Sequence, residues 1–154
     1  MTANSQTQPV GVIGLGLLGT ALAERLLAAG YPTYVYNRTK SKADSLLERG
    51  ARWSDNPLAE CRRVVISLYT TEIVEQVLEQ FQDALQEGQI LIDTTTGDPD
   101  QTAALGKRLA QRGVDYLETP IAASSQQTRD GQAVAIVGGP DQAVSVYGAE
   151  DYRW

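Results

Sequence analysis

The sequence predicts an α/β protein with a doubly wound, mostly parallel sheet. Three observations support this fold class: a glycine-rich turn between a strand and a helix, alternating strand and helix patterns, and continuous apolar runs such as Val64 to Leu68. Alternating strands and helices form parallel sheets, whose strands are covered on both faces and therefore lack polar alternation. A chain of 154 residues is long enough to form one such domain.

The glycine-rich turn has the spacing G-x-G-x-x-G, in the run Gly14-Leu15-Gly16-Leu17-Leu18-Gly19. An apolar strand precedes it and a helical pattern follows, as the dinucleotide-binding fingerprint requires. Gly14 lets the chain turn out of the strand, Gly16 leaves room for a pyrophosphate, and Gly19 lets the helix pack closely on the strand. Free N–H groups at the helix N-terminus would bind the phosphates. A Rossmann-type βαβ unit is therefore predicted.

The residues after the second predicted strand, Thr33 to Tyr36, favour NADP over NAD. An NAD site has an acidic residue about 20 positions after the first glycine, where it binds the ribose hydroxyls. This sequence has no acid there and instead reads Asn37, Arg38, Thr39, Lys40, Ser41, Lys42. Arg38 can bind a 2′-phosphate through paired N–H donors and can stack on adenine. The missing acid also disfavours an S-adenosylmethionine site.

Composition excludes several other classes of function. The net charge of −6 and the pI near 4.6 argue against nucleic acid and anionic membranes as partners. The absence of histidine excludes a Ser-His-Asp triad and a His-containing zinc site, and no metal site is expected. The single cysteine, Cys61, forms no internal disulfide and is typical of a cytoplasmic protein, with a structural role expected for the thiol.

The remaining elements are predicted from caps and apolar runs. Ser41 should cap a helix that stops at Gly50, with Asp44 as its capping-box partner. Pro57 and Pro99 should each occupy the first position of a helix, and Asp98 should cap the second of these. A further helix should follow Thr71 and end at Gly88, and strands are predicted at Ala51–Trp53, Val64–Leu68, Ile90–Ile92, Tyr116–Glu118 and Ala133–Val137.

Ligands of a doubly wound sheet bind beyond the carboxyl ends of its strands. The segments expected at this edge contain mostly glycine, hydroxyl and amide residues, so the sequence predicts a neutral, hydrogen-bonding pocket. These segments are Gly14–Gly19, Asn37–Arg38, Leu68–Thr71, Asp93–Gly97 and Thr119–Ser125.

Taken together, these motifs resemble the β-hydroxyacid dehydrogenases, such as 3-hydroxyisobutyrate dehydrogenase, and the related imine reductases. These enzymes share an NADP-binding domain of the 6-phosphogluconate dehydrogenase type. The similar segments cover most of residues 10–139: VGVIGLGLLGTALAERLLAAG, YNRTKSKA, VVISLYTT, LIDTTTGDPDQTAALGKRLAQRGVDYLETPIAASS and AVAIVGG.

The resemblance implies a set of cofactor contacts. Residues near the adenosine and pyrophosphate would be Gly14, Gly16, Leu17, Leu18, Asn37, Arg38 and Thr39. Residues along the nicotinamide would be Leu68, Tyr69 and Thr95. Gly19 of the fingerprint and Lys42 of the basic turn complete the predicted cofactor-binding residues, with NADP as the expected cofactor.

The segment that resembles the family's substrate loop departs from its pattern. The family has a serine that helps to hold a substrate carboxylate, and Ala122 stands in its place here. Ser124 and Ser125 are the candidate substitutes. The imine reductases also lack that serine, and TTTGDPDQ is somewhat closer to their version of this segment.

The family's catalytic lysine lies in a second, helical domain that this sequence does not reach. We expect a flexible tail at residues 1–8, the NADP-binding domain at residues 9–147 and a divergent end at residues 148–154. None of the lysines at positions 40, 42 and 107 is placed to protonate a substrate, so no catalytic residue is predicted. Asp93 and Glu118 end two strands near the pocket and could form an acid–base pair, although such carboxylates more often cap a turn.

Three interpretations of function stay open at this point. The chain could be the cofactor half of an NADP-dependent oxidoreductase, able to bind but lacking the acid. It could form an active enzyme with a separate helical partner. It could also be a non-catalytic sensor of the cofactor's redox ratio, or the remnant of a gene. A truncated end would expose apolar surface, so self-association is a further expectation.

Overall fold

A computed structural model describes residues 8–139, in which a main sheet is flanked by helices. The sheet has six strands in the order β3-β2-β1-β4-β5-β6, and every neighbouring pair is parallel. This order is that of the Rossmann fold, so the predicted fold class is confirmed. The strands are β1 (Val10–Ile13), β2 (Thr33–Tyr36), β3 (Arg52–Trp53), β4 (Arg63–Ile66), β5 (Ile90–Asp93) and β6 (Asp115–Glu118).

Helices connect the strands on both faces of the sheet. Asn56 precedes Pro57 at the start of the third helix, and the Asp98 side chain accepts hydrogen bonds from the N–H groups of Asp100 and Gln101 at the start of the fifth. Both predicted helix starts are therefore confirmed. The helices of the sheet are α1 (Leu17–Ala28), α2 (Asp44–Glu48), α3 (Pro57–Glu60), α4 (Thr71–Gln80) and α5 (Pro99–Ala110), with 3-10 turns at Lys40–Ala43 and Gln82–Ala84.

The core lies in two layers, one on each face of the central strands. Residues of β1, β4 and β5 alternate between the layers: Val12, Val65 and Ile92 face α1, whereas Ile13, Ile66 and Leu91 face α4 and α5. All four residues of each of these strands are buried. Burial on both faces explains why these strands have continuous apolar sequences.

Two helix predictions need correction. Ser41 does not cap a helix, because the chain already turns at Thr39 and places Ser41 inside a 3-10 turn, with α2 starting only at Asp44. The helix after β4 also ends earlier than predicted. Its last hydrogen bond runs from Phe81 to Val77, and the chain then tightens into a 3-10 turn well before Gly88.

The end of the described chain differs most from the predicted pattern. Only β8 (Val134–Ala135) of the predicted strand at 133–137 forms, and it pairs antiparallel with β7 (Ile121–Ala122) outside the main sheet. Val134 and Ile136 are exposed, so this short hairpin has no buried strand. A short helix that the sequence did not predict, α6 (Ser125–Arg129), lies between the two strands and packs on α1.

The predicted tail at residues 1–8 lies outside the described residues except for Gln8, and so does the predicted divergent end at residues 148–154. No helix among residues 8–139 is long and apolar enough to cross a membrane.

Candidate functional site

The sheet has a single reversal of strand order, at β1. The chain moves outwards from β1 to β2 and β3 in one direction and from β4 to β6 in the other, so the loops after β1 and β4 leave on opposite faces. In open α/β sheets such a switch point creates a crevice at the carboxyl ends of the strands, where ligands bind. The glycine-rich turn follows β1 and lies in this crevice.

The three glycines of the turn have different roles in the structure. Gly14 has a φ of +96°, and a Cβ at this position would lie 2.0 Å from the Ser67 carbonyl oxygen. A Cβ on Gly19 would lie 1.9 Å from the Gly14 carbonyl oxygen, so both positions are reserved for close backbone packing. A Cβ on Gly16 would meet nothing closer than the Tyr69 hydroxyl, at 3.8 Å. Gly16 therefore borders open space, and the fold itself does not require a glycine there.

The start of α1 presents backbone donors to this space. Gly16 is the N-cap residue of α1 and has an extended conformation, with no side-chain cap on the first turn. The first N–H groups of a helix have no partner within the helix and attract anions. Leu17 at the first position is 81% exposed, whereas Leu18 packs partly against the core. The arrangement can therefore bind phosphate oxygens through backbone atoms alone.

Asn37 connects the end of β2 to the glycine-rich turn. Its Oδ1 atom accepts a hydrogen bond from the Leu15 N–H group at 2.9 Å, and its Nδ2 atom donates to the Thr39 carbonyl oxygen at 3.0 Å. The Asn37 side-chain amide thus fixes the position of the glycine-rich turn relative to the basic segment after β2. An Asp at this position could accept the first bond but could not donate the second, so the side chain fits its place as an amide.

A cleft of about 430 Å³ opens between the end of β2 and α4. Its charged lining residues are Arg38 and Lys42, and no carboxylate lines it within the described part of the chain. Apolar and amide residues of α4 form the opposite wall. The lining residues are Ile13, Gly14, Tyr36, Asn37, Arg38, Lys42, Leu68, Tyr69, Ile73, Gln76, Val77 and Gln80.

An aromatic cluster supports the floor of this cleft. The ring of Tyr36 packs edge-on against Phe81, with centroids 5.2 Å apart, and lies 5.6 Å from the Trp53 ring. The Lys40 ammonium lies 5.0 Å from the centre of the Trp53 ring, which is within cation–π range. Lys40 is therefore drawn towards the aromatic cluster, whereas Arg38 and Lys42 border the cleft.

On the other side of the switch point, polar groups bond to one another. Asp93 is 3% exposed and ends β5. Its Oδ1 atom accepts from the Thr95 N–H group at 2.9 Å, and its Oδ2 atom accepts from the Tyr116 hydroxyl. The Thr95 hydroxyl oxygen in turn accepts from the Leu68 N–H group at 3.0 Å. Burial raises the pKa of Asp93, and these hydrogen bonds oppose that rise.

The structure does not bring Asp93 and Glu118 together as an acid–base pair. The two residues are neighbours in the sheet register, but Asp93 bonds within the protein whereas Glu118 borders a different groove, between α5 and β6. Asp93 caps the turn at Thr95, which was the alternative that the sequence favoured. Lys107 also borders the α5–β6 groove rather than the cleft.

The two candidate substrate-binding serines lie at the start of α6. The Ser124 hydroxyl oxygen accepts from the Gln127 N–H group at 3.1 Å, and the Gln127 side chain accepts from the Ser124 N–H group in return. This capping box occupies the Ser124 hydroxyl, and Ser125 is the first residue of the helix. An ion pair between Arg129 of α6 and Glu24 of α1 holds the two helices together, and Arg49 at the end of α2 also contacts Glu24.

The thiol of Cys61 is buried at the amino end of β4, away from the cleft. Burial, with a smaller effect of the Glu60 charge, raises its pKa to about 12. A protonated, buried thiol has no nucleophilic character at neutral pH, which agrees with the structural role expected for it.

Sequence reasoning missed the wall of the cleft that α4 provides. The sequence predicts a helix after Thr71 but not its place beside the cleft, which is lined by Ile73, Gln76, Val77 and Gln80. The Gln80 side chain also donates to the Tyr36 hydroxyl at 3.3 Å. The helix after β4 always flanks the switch point in this topology, so its first turns could have been included from fold geometry alone.

The fold and this crevice define a dinucleotide-binding domain of the Rossmann class. Residues 9–148 match the family described as the NAD-binding domain of 6-phosphogluconate dehydrogenase. The chain therefore belongs to that family.

Relatives and solved structures agree with this assignment. The NADPH-dependent reductive aminase of Aspergillus oryzae is 33% identical over 84% of the chain and 45% of its own length. The mitochondrial 3-hydroxyisobutyrate dehydrogenase-like protein 1 of Arabidopsis thaliana is 29% identical over 88% of the chain and 42% of its own length. The imine reductase of Streptomyces aurantiacus superimposes with a TM-score of 0.85 at 30% identity, over 92% of the chain and 51% of its own. The chain thus spans about half the length of these proteins and corresponds to the NAD-binding domain of 3-hydroxyisobutyrate dehydrogenase-like oxidoreductases.

Proposed function

We propose that this domain binds NADP(H) in preference to NAD(H). The observation that carries the proposal is the lining of the cleft at the end of β2, where Arg38 and Lys42 are the charged residues and no described carboxylate is present. A 2′-phosphate placed there would gain charge-assisted hydrogen bonds, whereas an acidic residue would repel it. The name of the Aspergillus oryzae relative, an NADPH-dependent reductive aminase, supports the same preference.

In this proposal the crevice holds the cofactor in three parts. Arg38 and Lys42, with Thr39 beside them, bind the 2′-phosphate, and the apolar wall of α4 covers the adenine. The N–H groups at the start of α1, from Gly16 to Gly19, bind the pyrophosphate. Leu68, Tyr69 and Thr95 lie on the β4–β5 side, where the nicotinamide half would extend. The bound group would supply hydride chemistry, and these residues would fix its orientation.

We further propose that the domain serves an oxidoreductase of the 3-hydroxyisobutyrate dehydrogenase-like type. Its substrate would be a small hydroxyacid, a semialdehyde or an imine, and a helical domain or partner would complete the substrate site. The support is the match to relatives about twice as long as the chain. A cytoplasmic location, expected from the single cysteine, belongs to the same proposal.

Two measurements on the purified 154-residue chain test this function. Calorimetric titration should give a dissociation constant for NADPH at least about 10-fold lower than for NADH, the equivalent of one charge-assisted hydrogen bond. Equal affinities would contradict the NADP preference, and binding of neither would contradict the function as a whole. An assay of NADPH oxidation should detect no turnover with semialdehydes or imines, because no described acid points into the cleft and general acid catalysis contributes about 10²–10⁴-fold.

A further inference from the structure

A chain of hydrogen bonds links the interior of the sheet to the loop after β4. It starts at Tyr116 of β6, whose hydroxyl donates to Asp93 Oδ2. Asp93 Oδ1 accepts from the Thr95 N–H group at 2.9 Å, and Thr95 Oγ1 accepts from the Leu68 N–H group at 3.0 Å. These hydrogen bonds therefore connect the interior of β6, through the end of β5, to the loop after β4.

The first two residues of this series of hydrogen bonds, Tyr116 and Asp93, are much more buried than a phenol and a carboxylate usually are. Asp93 is 3% exposed and Tyr116 is 5% exposed. A buried carboxylate is costly unless donors satisfy both of its oxygens, and apolar residues of similar size often stabilise a fold at least as well. A carboxylate so placed is better explained by the groups that it orients than by its contribution to stability.

The group oriented at the far end is the Leu68–Tyr69 segment, which forms the rim between the two halves of the crevice. A Cβ on Gly14 would lie 3.0 Å from Leu68 Cδ2, so the Leu68 side chain packs directly over the glycine-rich turn. Tyr69 is 80% exposed, and its hydroxyl faces the open space at Gly16. Both residues also line the cleft at the end of β2, so a shift of Leu68 would change the crevice where its two halves meet, beside the glycine-rich turn.

We propose that Asp93 is a positioning residue for the nicotinamide half of the bound dinucleotide, acting through Thr95 and Leu68, with Tyr116 holding Asp93 in place. The inference rests on the proposed function. It assigns Asp93 no proton transfer, because both of its oxygens already accept hydrogen bonds within the protein. The adenosine half binds at the end of β2, where Arg38 and Lys42 supply the charged contacts, so it should depend far less on these hydrogen bonds than the nicotinamide half does.

The test compares affinities for NADPH and for adenosine 2′,5′-bisphosphate, which carries only the adenosine half. In Asp93→Ala the affinity for NADPH should fall about 10-fold, as expected for one lost hydrogen bond to a charged group, while that for the bisphosphate changes less than about 2-fold. Asp93→Asn should retain most of the NADPH affinity, because its amide oxygen can still accept from the Thr95 N–H group and its amide nitrogen can donate to Tyr116.

Tyr116→Phe provides a second, milder variant in case Asp93→Ala does not fold. It should weaken NADPH binding about 3- to 5-fold without affecting the bisphosphate, consistent with loss of one neutral donor. Tyr31→Phe is the matched control, since Tyr31 is equally buried, at 6% exposure, but lies at the amino end of β2. It should leave both affinities unchanged.

The outcomes separate the inference from the proposed function. A loss shared equally by NADPH and the bisphosphate, or a loss in neither, in a folded Asp93→Ala or Tyr116→Phe protein would overturn the positioning role and leave NADP binding intact. A wild-type chain that binds neither ligand would overturn both. A lower melting temperature with an unchanged affinity ratio would show that the hydrogen-bond chain serves the fold alone.

Discussion

The two sides of the crevice differ in the charge and the exposure of their polar groups. At the end of β2 the polar side chains are exposed and cationic, and Arg38 and Lys42 border the cleft. At the end of β5 the polar groups are buried and satisfy one another through hydrogen bonds, as between Asp93 and Tyr116. The exposed cations at the end of β2 are suited to attract and select an anionic ligand. The buried, hydrogen-bonded groups at the end of β5 are suited to keep a fixed geometry when a ligand binds.

The glycine-rich turn lies between the two sides, and its substitution should have the largest effect. Gly16→Val should abolish binding of both NADPH and NADH, a loss of more than about 100-fold, because the side chain would fill the pyrophosphate space. The fold should persist, since Gly16 has a φ of −73° and its Cβ would meet nothing closer than 3.8 Å. Calorimetry and circular dichroism measure the two results.

Gly19→Ala is the contrasting variant. Its Cβ would lie 1.9 Å from the Gly14 carbonyl oxygen, so the backbone must move and the melting temperature should fall clearly. Unchanged nucleotide affinity in a folded Gly16→Val protein would show that the turn serves only the fold.

The cationic side should determine which dinucleotide binds. Arg38→Ala should weaken NADPH binding by roughly 10- to 100-fold, as expected for loss of a charge-assisted contact, and leave NADH binding nearly unchanged. Calorimetry at two salt concentrations checks this, because wild-type NADPH binding should be the more salt-dependent. Arg52→Ala removes an exposed arginine of β3 away from the cleft and should alter neither affinity. Equal losses for both cofactors in Arg38→Ala would contradict the assignment.

The buried phenol of Tyr116 should make the free energy of unfolding depend on pH. Burial, and then the Asp93 charge, raises the pKa of Tyr116 well above its usual value near 10. A raised folded-state pKa means that stability is fully present below the unfolded pKa and is lost as the pH rises above it. Relative to Tyr116→Phe, the wild type should therefore lose up to about 1.4 kcal/mol of unfolding free energy per pH unit above 10. Urea unfolding of both proteins at pH 8 to 11 measures the difference, and parallel curves would rule out a buried neutral phenol.

The smallest expected effect concerns the helix that follows the buried side. The Asp98 side chain accepts from the N–H groups of Asp100 and Gln101, both at 3.0 Å, so Asp98→Ala should cost about 1 kcal/mol of unfolding free energy. Asp100→Ala loses only a charge near the helix N-terminus and should cost about 0.3 kcal/mol. Denaturant unfolding compares the two. A larger loss in Asp100→Ala would mean that charge, rather than the cap, stabilises the start of α5.

The sequence alone determined the fold class, because its main features are local. The spacing of Gly14, Gly16 and Gly19, the helix start at Asp98-Pro99, and the unbroken apolar strands each act within a few residues. Their sum specifies alternating strands and helices, and the basic turn at Asn37–Arg38 follows directly from counting along the chain. These local features were enough to reach the cofactor class.

Tertiary structure decided which residues share one cleft and which are paired. The hydrogen bond from Tyr116 to Asp93 spans 23 positions, and the bond from Leu68 to Thr95 spans 27, so neither has a periodic pattern that could predict it. The wall that α4 gives to the cleft depends on the strand order. Contacts between residues distant in sequence form only when the strands assemble into the sheet. Only then does Asp93 become a buried group with both oxygens hydrogen-bonded, rather than a candidate acid.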